Sequence, residues 1–185
     1  MKTPSELFHY LVSDMAANKV DTRGKSFLGK MKGLVYLRRH SPSFACVFWF
    51  RVNKYLARKN NGFARYFSRR LSVRRIYRFG NDISCWSEIG PGLRIVHISN
   101  IVIGRRARVG KNFTILNGVT LGEKNASENV MPNIGDDVYI GTGAKLVGDI
   151  TIGDNVTIGA LTFCNKSVPR DSVAYGNPMM VKKKT

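Results

Sequence analysis

The chain is poor in the residues that usually announce chemistry. Its 185 residues include three cysteines and three histidines. Cys46, Cys85 and Cys164 lie far apart with no paired spacing. That argues against a disulfide framework and for free thiols in a reducing compartment. No C-x-x-C pattern occurs, so no metal site is expected. Long apolar runs are also missing. The longest, Phe44 to Phe50, falls far short of the ~20 residues that a bilayer-spanning helix needs. The first ten residues, MKTPSELFHY, hold no apolar stretch of the secretory kind, so no signal peptide is expected. Acids are scarce, 12 against 30 Lys and Arg, and the net charge is +18. The scarcity is uneven. Residues 1–80 hold 18 cations and three acids, a net of +15, and residues 81–185 hold 12 and nine, a net of +3. The two parts need separate explanations.

What is abundant is a period of six. From residue 134 an aliphatic or Cys side chain recurs at Ile134, Ile140, Leu146, Ile152, Ile158 and Cys164. A second position recurs four residues later at Val138, Ala144, Ile150, Val156, Thr162 and Val168. A Gly follows the lead residue in four of the six units. An α-helix would space its apolar residues by three and four. A fixed hexad instead marks a parallel β-helix, with short strands, an inward lead residue and a corner where Gly, Asn or Asp adopts unusual backbone angles. The repeat begins near Asn81, with Ile83, Ile89 and Ile95 six apart and Leu93 in the second position. It resumes as Ile103, Val109, Ile115 and Leu121, with Ala107, Phe113 and Val119 as second positions.

Residues 1–80 read as four helices. Thr3-Pro-Ser-Glu6 forms a capping box with Pro at the first helical position, and Leu7, Leu11 and Met15 follow on one face to about residue 20. Residues 25–40 form the second helix. The third starts at Ser41-Pro42 and ends before Asn60-Asn61-Gly62. Residues 63–79 form the fourth, with Phe63, Tyr66, Phe67, Leu71, Ile76 and Tyr77 on one side. Arg65, Arg69, Arg70, Arg74, Arg75 and Arg78 lie on the other. Aromatics beside Arg on short helices fit contact with an anionic membrane, through Phe44–Leu56 above all. Packing of the helices on themselves and on neighbouring copies is the alternative. No nucleic-acid motif accompanies the charge, so nucleic acid is not an expected partner.

The period breaks twice. From Ile95 to Ile103 is eight residues, so two must bulge, and the bulge Val96-His97-Ile98-Ser99-Asn100 carries the repeat region's one histidine. Residues 123–133 have no period and read as an excursion loop. Breaks in a repeat are where function tends to sit. After Pro169 the hexads stop, Tyr175-Gly-Asn-Pro178 forms a turn, and residues 179–185 form a basic tail. The expected organisation is therefore a helical region over 1–80, a β-helix over 81–178 and a tail.

The segment from Asp82 to Val181 resembles the hexapeptide-repeat acyltransferases, most closely the serine acetyltransferase branch. The resemblance rests on Asp82-Ile83, Ile95-Val-His97, Ile101-Val-Ile-Gly104, Val119-Thr-Leu-Gly122, the loop ending in Pro132, Ile140-Gly-Thr-Gly-Ala-Lys145, Ile158-Gly-Ala160 and Ala174-Tyr-Gly-Asn-Pro178. It implies a mainly β chain, a left-handed parallel β-helix after an N-terminal α-helical segment, a homotrimer, acetyl-CoA as co-substrate and active sites in the clefts between neighbouring subunits' coils. Transfer of an acetyl group from a thioester to an alcohol needs a base that is neutral near pH 7, and His supplies one. His97 is the candidate base and Asp82 its orienting carboxylate. A backbone N–H near Gly122 is the candidate oxyanion donor. No covalent intermediate is needed, so Cys85 and Cys164 need not act as nucleophiles. For acetyl-CoA the candidates are Gly122, Thr142, Gly143, Ala160, Lys166 and Lys183, with Lys182 beside the last. For the acceptor they are Asn100, Asn117 and Met131.

The family pattern fails at three positions. The resemblance implies an Arg-His pair before the Pro of the loop, where this chain has Val130-Met131. It implies an acid before the histidine, where this chain has Val96. An amino-acid clamp has lost its charges, and burying a zwitterion without partners is costly. The expectation is therefore an O-acetyltransferase acting on a carbohydrate hydroxyl in surface polysaccharide assembly. It would be cytoplasmic, with peripheral contact at the inner face of the membrane. Serine O-acetylation and a non-catalytic trimeric scaffold are the alternatives.

Overall fold

The hexads wind into a prism of three flat parallel sheets. The structure is a computed structural model that describes residues 1–125 and 130–184; residues 126–129 of the expected 123–133 loop, and Thr185, lie outside the described residues. The first coil contributes β1 (Asp82–Ile83), β2 (Glu88–Ile89) and β3 (Arg94–Ile95), and the second β4 (Val102–Ile103), β5 (Arg108–Val109) and β6 (Thr114–Ile115). The third has β7 (Thr120–Gly122), β8 (Asn133–Ile134) and β9 (Tyr139–Ile140), and the fourth β10 (Lys145–Val147), β11 (Thr151–Ile152) and β12 (Thr157–Ile158). The last has β13 (Phe163–Cys164) and β14 (Ser172–Tyr175), followed by β15 (Met180–Lys183). The first sheet runs β1-β4-β7-β10-β13, the second β2-β5-β8-β11 and the third β3-β6-β9-β12-β14-β15.

Register stacks like on like. Ile83 pairs with Ile103, Ile103 with Leu121, Leu121 with Leu146 and Leu146 with Cys164. All the lead residues and second positions read from the sequence are buried. Each large aliphatic removed from water stabilises by about 1.5–3 kcal/mol, and the in-register columns sum that effect along the prism.

The Gly after each lead residue serves a different purpose from the expected one. Gly135 has no left-handed backbone; a Cβ on it would sit 2.9 Å from Asp154 N and Gly153 C in the next coil. Close stacking of coils excludes the side chain. The left-handed corners are taken instead by Asn112, Asp137, Asn155 and Asp171, with φ of 55° to 57°. Their short polar side chains tolerate that region, and Asn112 Nδ2 donates to Asp137 Oδ1 across coils (2.8 Å).

Four helices precede the prism: α1 (Pro4–Ala17), α2 (Phe27–His40), α3 (Pro42–Ala57) and α4 (Gly62–Phe79). The Thr3–Glu6 capping box forms. Leu11, Met15, Leu34 and Phe44 make a small helical core. Helix α3 lies between the other helices and the first coil, and its Ala45, Cys46, Val47 and Phe50 join the prism's core.

That position corrects the expectation of membrane contact through Phe44–Leu56. Phe44, Val47 and Phe50 have no exposed surface, so they cannot enter a lipid boundary. Within the helical region the exposed large apolar side chains lie on α2 and α4, Phe27, Tyr36, Phe63 and Tyr77 among them. Helix α4 also differs from its expected two-sidedness. Its buried face is Ala64, Ser68, Arg75 and Phe79, so small residues face inward and Arg75 joins them. No helix among the described residues is long and apolar enough to cross a membrane.

Buried cations explain part of the basicity. Each coil donates its strand N–H groups to the carbonyls of the next, as Asp82 N does to Ile101 O and Gly90 N to Val109 O. The first coil therefore presents carbonyls to no strand. A solenoid end needs a cap, and this one needs donors. Arg51 donates to Ile89 O and Gly90 O (both 2.7 Å), Lys54 to Ser87 O, Arg75 to Ile83 O (3.1 Å) and Ser43 Oγ to Val96 O (3.1 Å). At the far end the expected tail is ordered. Strand β15 pairs antiparallel with β14, and Lys184 N donates to Asp171 O.

Candidate active site

The edge between the third and first sheets collects most of the expected site residues. It is built as a ladder of backbone bonds across successive coils. Asn100 N donates to Gly80 O (2.7 Å), Gly118 N to Ser99 O (3.0 Å), Gly143 N to Asn117 O (2.9 Å) and Leu161 N to Thr142 O (2.8 Å). His97, Asn100, Asn117, Thr142, Gly143 and Ala160 therefore follow one another along one edge. Thr142 Oγ1 donates to Asn117 Oδ1 at 3.2 Å. Gly118 and Gly143 are left-handed, with φ of 72° and 73°, and a Cβ on Gly118 would come within 3.3 Å of Gly143 Cα. The result is a ledge of small residues.

The eight-residue step from Ile95 to Ile103 forms the top rung. Ile101 turns inward with no exposed surface, and His97, Ser99 and Asn100 project outward. Ser99 and Asn100 take φ of 115° and 52°. Asp82 begins β1 beside this rung, its N–H on Ile101 O (2.8 Å). Both His97 and Asp82 are exposed, and no hydrogen bond joins their side chains in the protomer. Catalytic bonds often tighten only around substrate.

Three expected residues lie elsewhere. Gly122, Met131 and Lys166 occupy the edge between the first and second sheets. Met131 does not approach His97 in the same protomer; its thioether covers Gly104 and packs on the core. The reason is that the excursion loop leaves at that edge, after β7. Lys182 and Lys183 lie on β15, opposite Val173 and Ser172. Asp82 also lines a groove on the outer face of the first sheet with Trp86, Val102 and Arg105, and the Arg105 guanidinium stands 5.2 Å over the Trp86 ring.

Sequence reasoning missed Asn81. It is buried, and its Oδ1 accepts from Ser99 N (3.1 Å) and Ile101 N (3.0 Å). Nothing in a lone Asn after a helix-ending Gly signals that role. Burial pushes the Cys164 thiol above its ordinary range, which keeps it protonated and unreactive. Among the described residues no group of three or more His, Cys, Asp and Glu is placed to hold a metal ion.

The chain's likeness to known proteins extends over nearly its whole length. The profile of the family described as bacterial transferase hexapeptide (six repeats) matches residues 131–166. The serine acetyltransferase of Staphylococcus xylosus is 42% identical over 109 residues, 57% of this chain and 50% of that protein. That of Buchnera aphidicola is 33% identical over 177 residues, 95% of this chain and 61% of that protein. This chain thus spans half to three fifths of those curated relatives. Among solved structures, serine acetyltransferase from Brucella abortus strain S19 superposes with a TM-score of 0.80 at 30% identity, over 98% of this chain and 71% of the other. The same organism's enzyme in complex with coenzyme A gives 0.81 at 30% identity, over 98% and 70%.

Proposed function

Since the chain belongs to the hexapeptide-repeat transferases, in the serine acetyltransferase-like branch with its left-handed parallel β-helix, we propose that it moves an acetyl group from acetyl-CoA to the hydroxyl of L-serine. The observation that carries this reading is the end-to-end superposition on a serine acetyltransferase, at a TM-score of 0.80 over 98% of this chain. It overturns the carbohydrate acceptor expected from Val96, Val130 and Met131. Those three residues remove one set of charged contacts. A relative matched over 95% of the chain and named for serine outweighs that local change.

In this reading the ledge of Asn117, Gly118, Thr142, Gly143 and Ala160 takes the extended pantetheine arm, because small side chains let it approach the backbone. His97 accepts the hydroxyl proton as the serine oxygen attacks the thioester carbonyl. Asp82 holds the imidazole and stabilises its protonated form. The tetrahedral oxyanion needs a donor, and a backbone N–H near the Gly122 turn is the candidate. On collapse the C–S bond breaks, the ester C–O bond remains, and the proton on His97 passes to the CoA thiolate. Arg105, which lines the same groove as Asp82, supplies a positive charge for the serine carboxylate.

The active unit in this reading is a homotrimer. One protomer keeps His97 and the ledge on one border of the first sheet, and Gly122, Met131 and Lys166 on the other. A three-fold arrangement brings one copy's first border to the next copy's second. Light scattering should give about three times the 20.7 kDa chain mass. The three buried free thiols fit a cytoplasmic protein.

The test is release of free CoA from acetyl-CoA with and without L-serine. Serine-dependent release is expected, and its absence from a folded trimer would overturn the proposal.

A further inference from the structure

We propose that Asn81 is a positioning residue through which the helical cap fixes His97 for proton transfer; the inference rests on the acetyltransferase reading. The observations are the bonds that hold residues 96–101. Asn81 is 2% exposed. Its Oδ1 accepts both Ser99 N (3.1 Å) and Ile101 N (3.0 Å), and its Nδ2 points at Cys46 Sγ of α3 (3.6 Å). Gly80, the left-handed cap of α4, accepts Asn100 N at 2.7 Å. Ser43 Oγ at the start of α3 donates to Val96 O at 3.1 Å. The bulge is thus tied on both sides of His97, and each of these ties runs to the helical cap or to the residue that joins it to the prism.

The ties matter because the bulge is strained. Ser99 has φ of 115°, a region that costs a residue with a side chain roughly 1–3 kcal/mol. Without the two bonds to Asn81 Oδ1 the segment would relax toward ordinary angles and swing the histidine two residues away. A base must reach its proton at about 2.6–3.2 Å, and a misplacement of about 1 Å can cost 10²-fold in rate. Asn81 touches no reacting atom in this account. It sets where His97 stands.

The experiment compares Asn81→Leu, which removes the acceptor at similar size, with Asn81→Asp, which keeps it. Asn81→Leu should lower kcat by roughly 30-fold or more, with the KM for acetyl-CoA within about threefold of wild type. Asn81→Asp should restore kcat to within about fivefold, since its carboxyl oxygen still accepts both N–H groups. A merely structural role would lower the melting temperature without that kcat-against-KM split. Wild-type kcat in Asn81→Leu, or no rescue by a folded Asn81→Asp, would overturn the proposal. Should Asn81→Leu not fold, Ser43→Ala reads the other tie; a kcat lowered by about three- to tenfold is expected, and an unchanged one is the contrary result. Wild-type enzyme is the control for the underlying reading, which falls alone if serine elicits no CoA release. The rate of His97 acylation by diethyl pyrocarbonate, followed by peptide mass, then decides for Asn81 without turnover. A change of about threefold or more in Asn81→Leu supports it, and an identical rate overturns it.

Discussion

Asp14 and Arg51 meet with no exposure to solvent where α1, α3 and the first coil converge. Arg51 Nε donates to Asp14 Oδ2 at 2.8 Å and Nη2 to Oδ1 at 3.0 Å. Asp14 Oδ1 also accepts Gly92 N (2.9 Å) and Leu93 N (2.7 Å). The pair thereby joins the helices to the prism. Replacing Asp14 with Ala would leave a buried guanidinium without its counter-charge and two buried N–H groups without acceptors. The expected loss is about 3–5 kcal/mol, a fall of more than about 1 M in the urea midpoint. The double variant Asp14→Leu/Arg51→Met should lose less than the sum of its single changes. Additive losses in urea titration would show that the two groups are not coupled.

Gly135 and Gly62 should respond oppositely to alanine. At Gly135 the new Cβ meets the backbone of Gly153 and Asp154, which stacking in both directions holds in place; at Gly62, the first residue of α4, nothing lies within 4 Å. Gly135→Ala should cost about 1–3 kcal/mol as an overpacked core does. Gly62→Ala should be neutral or stabilising by up to about 1 kcal/mol, because Ala favours helix. Thermal melts of the two variants decide it, and equal shifts would mean that coil spacing does not select glycine.

The prism was legible because its signal is periodic and local. Ile134 through Cys164 repeat at a spacing that only a coil of short strands satisfies, and Ile95 to Ile103 announced the bulge by breaking the count. The helix boundaries were legible for the same reason, through Thr3, Pro42 and Gly62. Arg51, Lys54 and Arg75 were not. On a helix a cation reads as solvated, and these are buried only because a remote coil ends in unpaired carbonyls. The aromatic α3 looked like a lipid-facing helix because apolar residues look alike whether lipid or a prism end covers them. Along the site edge, His97 was visible from its chemistry, but Asn81 acts through one side-chain oxygen on two N–H groups that no spacing reveals. Met131 stands on the other edge of the first sheet because a loop's point of departure, and not its length, decides which edge it covers.

Glu88 should make the protein acid-sensitive. Burial raises its carboxyl pKa, but Lys54 and Arg58 outweigh that and hold it below the ordinary range. A depressed folded value contributes stability that is present above the unfolded value, about pH 4.3, and is lost as pH falls through the folded one. The Glu88 side chain is 54% exposed, so the contribution is screened to about 0.2–1 kcal/mol. Glu88→Gln should flatten the stability curve between roughly pH 5 and 3 and change little at pH 7 beyond that amount. An unchanged acid limb in urea melts would remove Glu88 from the account.

Arg105 should matter for the acceptor and not for the donor. If its guanidinium meets the serine carboxylate, Arg105→Gln should raise the KM for L-serine about tenfold or more, as loss of a charge-assisted bond worth roughly 1.5–3 kcal/mol implies. The KM for acetyl-CoA should stay within about threefold. Serinamide, which lacks the carboxylate, should lose little on the same substitution. Equal losses with serine and serinamide would assign Arg105 a structural part beside Trp86 instead.

His97→Ala should abolish transfer while leaving the protein folded. The side chain is exposed on the bulge and makes no hydrogen bond among the described residues, so its removal strips nothing from the core. A positioned general base contributes about 10²–10⁴-fold, and serine-dependent CoA release should fall by that factor. Acetyl-CoA binding by calorimetry should be retained, because the ledge of Thr142, Gly143 and Ala160 lies on later coils. Asp82→Asn should fall by a comparable factor, since the amide can hold the ring in the wrong tautomer and cannot stabilise its charged form. Turnover of His97→Ala within a few-fold of wild type would place the base elsewhere, and lost acetyl-CoA binding would mean that the bulge belongs to the cofactor site instead.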